Sequence, residues 1–189
     1  MQKDNLATLI NEAKHCSFCS EFLPQPPRPV FSAGYSKLVL IGQAPGQQAH
    51  NNSKPFSDQS GVRLRRWLKI DEATFYNPDK LTIMPMGFCF PGYKNGADAP
   101  PRKECAPKWH HQFLSIIKPQ AIILVGRYAQ KYYLPQFKSL SEAMTQCDFS
   151  EGLIPLPHPS GRNNRWLAKH PWFESEYLPK AAAYIKRSL

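Results

Sequence analysis

Acidic residues are scarce in this chain. Fourteen Asp and Glu stand against 24 Lys and Arg in 189 residues, a formal net charge of +10. That balance excludes a surface that repels polyanions and suits one that meets them, although basic surfaces also occur on proteins that never touch nucleic acid. Long apolar runs are missing too. None approaches the ~20 residues of a bilayer span, and Met1 to Lys14 lacks the apolar core of a signal peptide, so no membrane partner and a cytoplasmic location are expected. Cysteine is sparse and its count of five is odd, which excludes a disulfide scaffold. No internal repeat occurs, and the only biased stretch is Leu23-Pro24-Gln25-Pro26-Pro27-Arg28-Pro29. What remains is ordinary: 42% hydrophobic residues argue against disorder, and the length fits one domain over residues 1–189.

The apolar pattern alternates between strand-like and helix-like segments. Lys37 to Ile41, Leu81 to Met84, Gln120 to Gly126 and Gly152 to Leu156 are short, apolar and rich in β-branched residues, as buried strands are. Between them, Ser60 to Leu68 (with Ser60 as its cap), Lys108 to Ile117 and Arg127 to Tyr133 have helical spacing. Leu6 to Ala13 precedes them, and Trp172 to Ile185 reads as a long closing helix. Strands and helices in this order predict an α/β fold, a three-layer α/β/α sandwich with a central four-stranded, mainly parallel sheet.

Two loops far apart in sequence each follow a strand. Gly42-Gln43-Ala44-Pro45-Gly46 runs on to Lys54-Pro55-Phe56, and His158-Pro159-Ser160-Gly161 follows the fourth strand. Both should project from the same edge of a parallel sheet, where α/β proteins bind ligands. The cysteines are also grouped. Cys16 and Cys19 form a C-x2-C beside His15, while Cys89 and Cys105 bracket a Pro- and Gly-rich loop. Four thiolates from two places suggest a metal site, and buried inert thiols are the alternative. Cys147 has no partner pattern.

The order GQAPG, KPF, C-x15-C, HPS resembles the uracil-DNA glycosylase superfamily, most closely its bacterial and archaeal iron-sulfur branch. The likeness covers nearly the whole chain. It implies a monofunctional, monomeric DNA-repair glycosylase that flips a deaminated base, uracil first, and hydrolyses its N-glycosidic bond. It also implies a structural 4Fe-4S cluster on Cys16, Cys19, Cys89 and Cys105, with zinc the alternative; the second pair, split by fifteen residues, is loose for a zinc ribbon. On this likeness Phe56 is the ring on which the flipped base stacks, an interaction worth roughly 1–3 kcal/mol. His158 is the donor to the base oxygen that gathers negative charge as the bond breaks. Gly42 and Gln43 complete the base pocket. Lys54, Ser160, Gly161, Arg162, Asn163 and Arg165 are expected on DNA, with the Arg63, Arg65 and Arg66 helix face adding charge.

Two positions depart from the branch. Gln43 stands where the branch has Glu, and it cannot deprotonate water, so Asp58 and His50 become the candidates for that step. Pro85 stands where the branch has the Asn that reads the uracil edge, and it offers no side-chain amide. A non-catalytic DNA-lesion or single-strand binding protein that kept the fold and cluster is therefore the alternative reading. A glycosylase that traps the sugar covalently through a residue near Gly161 is a further one, though the basic loop inserted in that branch is absent here.

Overall fold

The strand Leu38–Ile41 (β1) is buried at all four positions, which requires cover on both faces of the sheet. The computed structural model describes residues 2–189 in backbone and 5–189 in side chains. Five further strands follow in chain order: Leu81–Ile83 (β2), Tyr93–Lys94 (β3), Ala97–Asp98 (β4), Ala121–Val125 (β5) and Leu153–Leu156 (β6). The helices are Gln2–Lys14 (α1), Gln47–Asn52 (α2), Gln59–Leu68 (α3), Glu72–Phe75 (α4), Cys105–Ile117 (α5), Arg127–Tyr133 (α6), Leu140–Gln146 (α7), Asn164–Lys169 (α8) and Leu178–Arg187 (α9). The expected α/β architecture is present. β2, β1, β5 and β6 form one parallel sheet in that order, while β3 and β4 make a separate antiparallel hairpin.

Alternation along β1 divides the core. Leu38 and Leu40 face a cluster built with Leu64 and Trp67 of α3, Phe75 of α4 and Ile185 of α9. Val39 and Ile41 face the other way, toward Leu6 and Leu9 of α1, Phe113 of α5 and Ala129 of α6. The sheet is thus the middle layer of three. Because β2 and β5 flank β1 on opposite sides, the winding reverses there, and the loops leaving the carboxyl ends diverge into a crevice.

Several sequence expectations need correction. Ser60 does not cap α3; Asp58 does, its carboxylate accepting the Gly61 N–H at 3.0 Å. The closing helix is not continuous. A π-helical turn, Phe173–Tyr177, precedes α9, since Pro179 at the start of α9 has no N–H to continue an α-helical ladder. The short elements α2, α4, α7, α8 and the hairpin carry too little periodicity to be read from sequence.

Pro85 interrupts β2 without ending its pairing. Met84 and Met86 donate to the Leu40 and Gly42 carbonyls at 2.9 Å each, so the residue with no N–H falls where the strand faces away from β1. The Pro85 carbonyl accepts from His110 Nε2 at 3.0 Å, while His110 Nδ1 accepts from the Tyr133 hydroxyl at 2.7 Å. His110 thereby ties α5 and α6 to the loop after β2. Burial holds its pKa down, to about 4 from 6.5. With the folded pKa depressed, the unfolded chain binds the extra proton first, so stability present above pH 6.5 is lost as pH falls toward 4. The loss should be on the order of 3 kcal/mol. In urea unfolding across that range, His110→Gln should be less stable than the wild type at neutral pH yet lose less on acidification; equal pH slopes would refute this role.

Candidate active site

The turn after β1 has no room for a side chain. A Cβ on Gly42 would stand 3.0 Å from Phe56 Cζ, so the phenyl ring rests directly on that glycine. Phe56 itself adopts φ +51°, a left-handed conformation that costs a non-glycine residue roughly 1–3 kcal/mol. Its surroundings enforce it. The Tyr76 hydroxyl donates to the Phe56 carbonyl at 2.9 Å, and Arg65 Nη1 donates to that hydroxyl at 3.2 Å. The same carbonyl lies where a Cβ on Gly61 would be, at 1.8 Å. Phe75 meets the ring edge-on at 6.2 Å between centroids.

His158 is held as closely. The Gly126 N–H and Gln130 Nε2 both donate to the Leu156 carbonyl, at 2.8 and 3.0 Å, fixing the end of β6. Asn163 Nδ2 donates to the His158 carbonyl at 2.7 Å, and the Ser160 N–H donates to His158 Nδ1 at 3.3 Å. Because Nδ1 accepts, this network assigns the ring proton to Nε2. Burial holds the His158 pKa below its ordinary value, against Asp58 and Asp98, which push it up. The neutral imidazole is therefore favoured. Gly126, at φ +83°, would carry a Cβ only 3.3 Å from His158 Cβ.

These residues converge. Gly42, Gln43, Phe56, Asp58 and His158 line one cleft of about 530 Å³ at the carboxyl edge of the sheet, together with Ser60, Pro85 and Asp98. Gln43 Nε2 lies 3.4 Å from the Ala99 carbonyl. His50 does not line the cleft. It is buried in α2, 5.9 Å from the Phe90 ring, and its Nδ1 has no partner among the described residues. Burial and then the Arg28 guanidinium keep its pKa low.

The basic residues divide between framework and surface. Lys54 pairs with Glu72 at 3.2 Å and lies over the Tyr76 ring, and Arg65 braces the same tyrosine. Arg63 donates to Asn164 Oδ1 at 2.8 Å and to the Ser160 carbonyl at 3.4 Å, so α3 holds the loop after β6. Arg162 donates to the Gly96 carbonyl in the β3–β4 hairpin. Gly161, Arg165 and Arg66 are exposed, and Ser160 and Asn163 are half-buried.

The remaining thiols gather elsewhere. Cys16, Cys19, Cys89 and Cys105 line a second cavity, of about 360 Å³, with Phe88, Arg102 and Trp109. Burial pushes the Cys89 and Cys105 thiols up, to about 11 and about 12. The Phe88 N–H donates to Cys105 Sγ at 3.3 Å. Among the described residues no three His, Cys, Asp or Glu side chains meet as a site for one metal ion. Cys147 lies apart, at the end of α7.

The description "Uracil DNA glycosylase superfamily" belongs to a family model that matches residues 29–182. The chain belongs to that superfamily. It is similar to the Type-4 uracil-DNA glycosylase of Sulfurisphaera tokodaii, 26% identical over 131 residues, covering 68% of this chain and 58% of that one. It is also similar to the Type-4 uracil-DNA glycosylase of Saccharolobus solfataricus, 27% identical over 143 residues, covering 75% of this chain and 64% of the other. The aligned part thus spans about three-fifths of the length of the curated relatives it matches.

As a uracil-DNA glycosylase superfamily member the chain carries one acidic pocket residue that sequence reasoning missed. Asp98 sits on a hairpin too short for any apolar pattern. Its one signal is Asn95-Gly96, both at positive φ, the dipeptide of a type I′ turn. His110, behind Pro85, was equally silent in sequence.

The support of Phe56 can be tested through stability. Tyr76→Phe removes two hydrogen bonds, the one to the Phe56 carbonyl and the one from Arg65, and should cost about 1–3 kcal/mol. Gly61→Ala must displace a backbone carbonyl, and should cost about 1–3 kcal/mol while moving the Phe56 ring. Denaturant unfolding measures both, and an unchanged midpoint in Gly61→Ala would contradict the packing described.

Proposed function

We propose that the protein is a monofunctional DNA glycosylase of base-excision repair, one domain acting as a monomer, that flips a deaminated base from the helix and hydrolyses its N-glycosidic bond. Uracil is the first candidate. The observation that carries the reading is His158 in the same cleft as Phe56, its Nδ1 accepting the Ser160 N–H so that Nε2 is left to donate. Flipping a base costs roughly a few kcal/mol, and stacking on a fixed ring offsets much of it. As the bond breaks, the base takes the electron pair. A fixed neutral donor then bonds the growing anion more strongly than the ground-state carbonyl, without having to give up its proton. The net charge of +10, with Arg165 exposed at the start of α8, suits a DNA backbone at this edge, and Ser160, Gly161 and Asn163 lie in the loop that would meet a phosphate. The names of the two relatives agree with this reading.

The four-cysteine cavity supports a 4Fe-4S cluster in preference to zinc. Four thiols lining one cavity suit sulfurs spaced around a polynuclear group. Two residues lining it, Arg102 and Trp109, also leave buried N–H groups, Nε and Nε1, without partners, and bound sulfide or thiolate would accept from them. The cluster would tie the segment after α1 to the loop after β2. When bound it supplies stability, and no step of the hydrolysis needs it. Anaerobically purified protein should be brown and hold roughly four irons per chain, and Cys105→Ser should lower both iron content and stability while Cys147→Ser leaves them unchanged. Colourless protein with stoichiometric zinc would overturn the cluster.

Catalysis is tested with oligonucleotides carrying uracil, hypoxanthine or xanthine, read as abasic sites. His158→Ala should slow single-turnover excision by about two to three orders of magnitude with DNA affinity nearly unchanged, since one donor to an oxyanion is worth ~2.7–4 kcal/mol. Phe56→Ala should weaken binding as well as rate. A wild type that binds lesion DNA but excises none of these bases would replace this reading with the non-catalytic one.

A further inference from the structure

We infer that Asp98 is a catalytic residue of this cleft, its carboxylate holding and deprotonating the water that attacks the sugar. The inference rests on the glycosylase reading and names a group that motif comparison does not supply.

The other candidates for the base are less suited. Gln43 has no acid–base chemistry. Asp58 gives one oxygen to the cap of α3. His158 accepts the Ser160 N–H on Nδ1, and its Nε2 proton is wanted by the departing base. His50 lies outside the cleft lining. Asp98 remains. It lines the cleft with His158, and its Oδ2 is 3.6 Å from where a Cβ of Gly46 would be, so it stands across the mouth from the first-strand loop. No hydrogen bond to a described residue occupies either carboxylate oxygen, so both can accept from water.

The hairpin is built to hold it there. Asp98 pairs with Tyr93 across two strands joined by the Asn95-Gly96 turn, and Arg162 clamps that turn to the loop that carries His158. The titratable and charged groups facing Asp98 are His158, Arg162 and Asp58. Burial raises its pKa, the first two lower it and Asp58 raises it. A carboxylate moved upward in this way is a better base than an exposed one.

The step balances. The water oxygen bonds to C1′, the N-glycosidic bond breaks with its electron pair leaving on the base, and the water proton passes to the Asp98 carboxylate. His158 Nε2–H stabilises the base anion.

The test uses the full-length protein and a uracil-containing oligonucleotide, or whichever deaminated base the wild type excises. Asp98→Asn should cut the single-turnover rate by about 100-fold or more, with DNA affinity changed less than about threefold. The wild-type rate should fall as pH drops through the Asp98 pKa, and Asp98→Asn should lack that acid limb. The near-isosteric Asn keeps the hairpin, which circular dichroism and an unchanged unfolding midpoint would confirm. A variant within about threefold of wild type, or one that keeps the acid limb, overturns the assignment. So does a rate lost only together with DNA affinity, the mark of a merely structural role. A wild type that excises no base overturns the glycosylase reading first, and this assignment with it.

Discussion

Burial of β1 on both faces is the constraint from which the site follows. A strand with no solvent face can place chemistry only where it ends, and Gly42 is the first residue past that end. The reversal of winding between β2 and β5 opens the crevice at the same level, and β6 delivers His158 from the far side of β5. Gly126 closes the arrangement, since its positive φ and missing side chain let β5 turn away under the imidazole. The pocket is therefore an outcome of strand order as much as of the residues that line it.

Rigidity around the pocket comes from groups with no chemical role of their own. Arg65, Tyr76 and the Phe56 carbonyl form a chain of hydrogen bonds that holds a phenylalanine in a conformation it would otherwise avoid. Lys54 and Glu72 stand beside that chain, with Lys54 over the tyrosine ring. Strain at a functional position persists only when its surroundings over-determine it, and here three elements do so: the loop after α2, α3 and the end of α4. A base arriving from DNA would meet a ring already in place, so little ordering entropy opposes stacking.

Much of this was legible in sequence, and the limits were physical. Strands with continuous apolar runs, such as Ala121–Val125, announce themselves because two-sided burial leaves no alternative composition. The GQAPG and HPSG loops were legible because they combine glycine, proline and a polar side chain soon after such strands, and KPF because it continues the first of them. Asp58 was found but its local duty was not: a carboxylate three residues before Gly61 reads equally as acid, base or cap, and only the 3.0 Å contact distinguishes them. The arginines of α3 read as a helix face adding charge toward DNA, yet Arg63 and Arg65 reach across to other elements, which no periodicity records. Asp98 and His110 were invisible because their partners lie on other elements, brought near by the fold alone.

The charge distribution within the cleft sharpens the chemistry. The chain as a whole is cationic, but the groups around His158 are two carboxylates, with Arg162 near the outer one. A cationic cleft would bind DNA more tightly everywhere and would hold the base anion as readily as the transition state leading to it. Two carboxylates do the reverse. In the proposed reaction they would oppose accumulation of negative charge except at the single point where a neutral imidazole donates, and would favour the positive charge that develops on the sugar as the bond lengthens. Burial keeps the imidazole from answering those carboxylates by taking a second proton. On the proposed glycosylase reading, affinity and catalysis would fall to opposite charges: arginines outside the cleft for the DNA backbone, and carboxylates inside it for the bond that breaks.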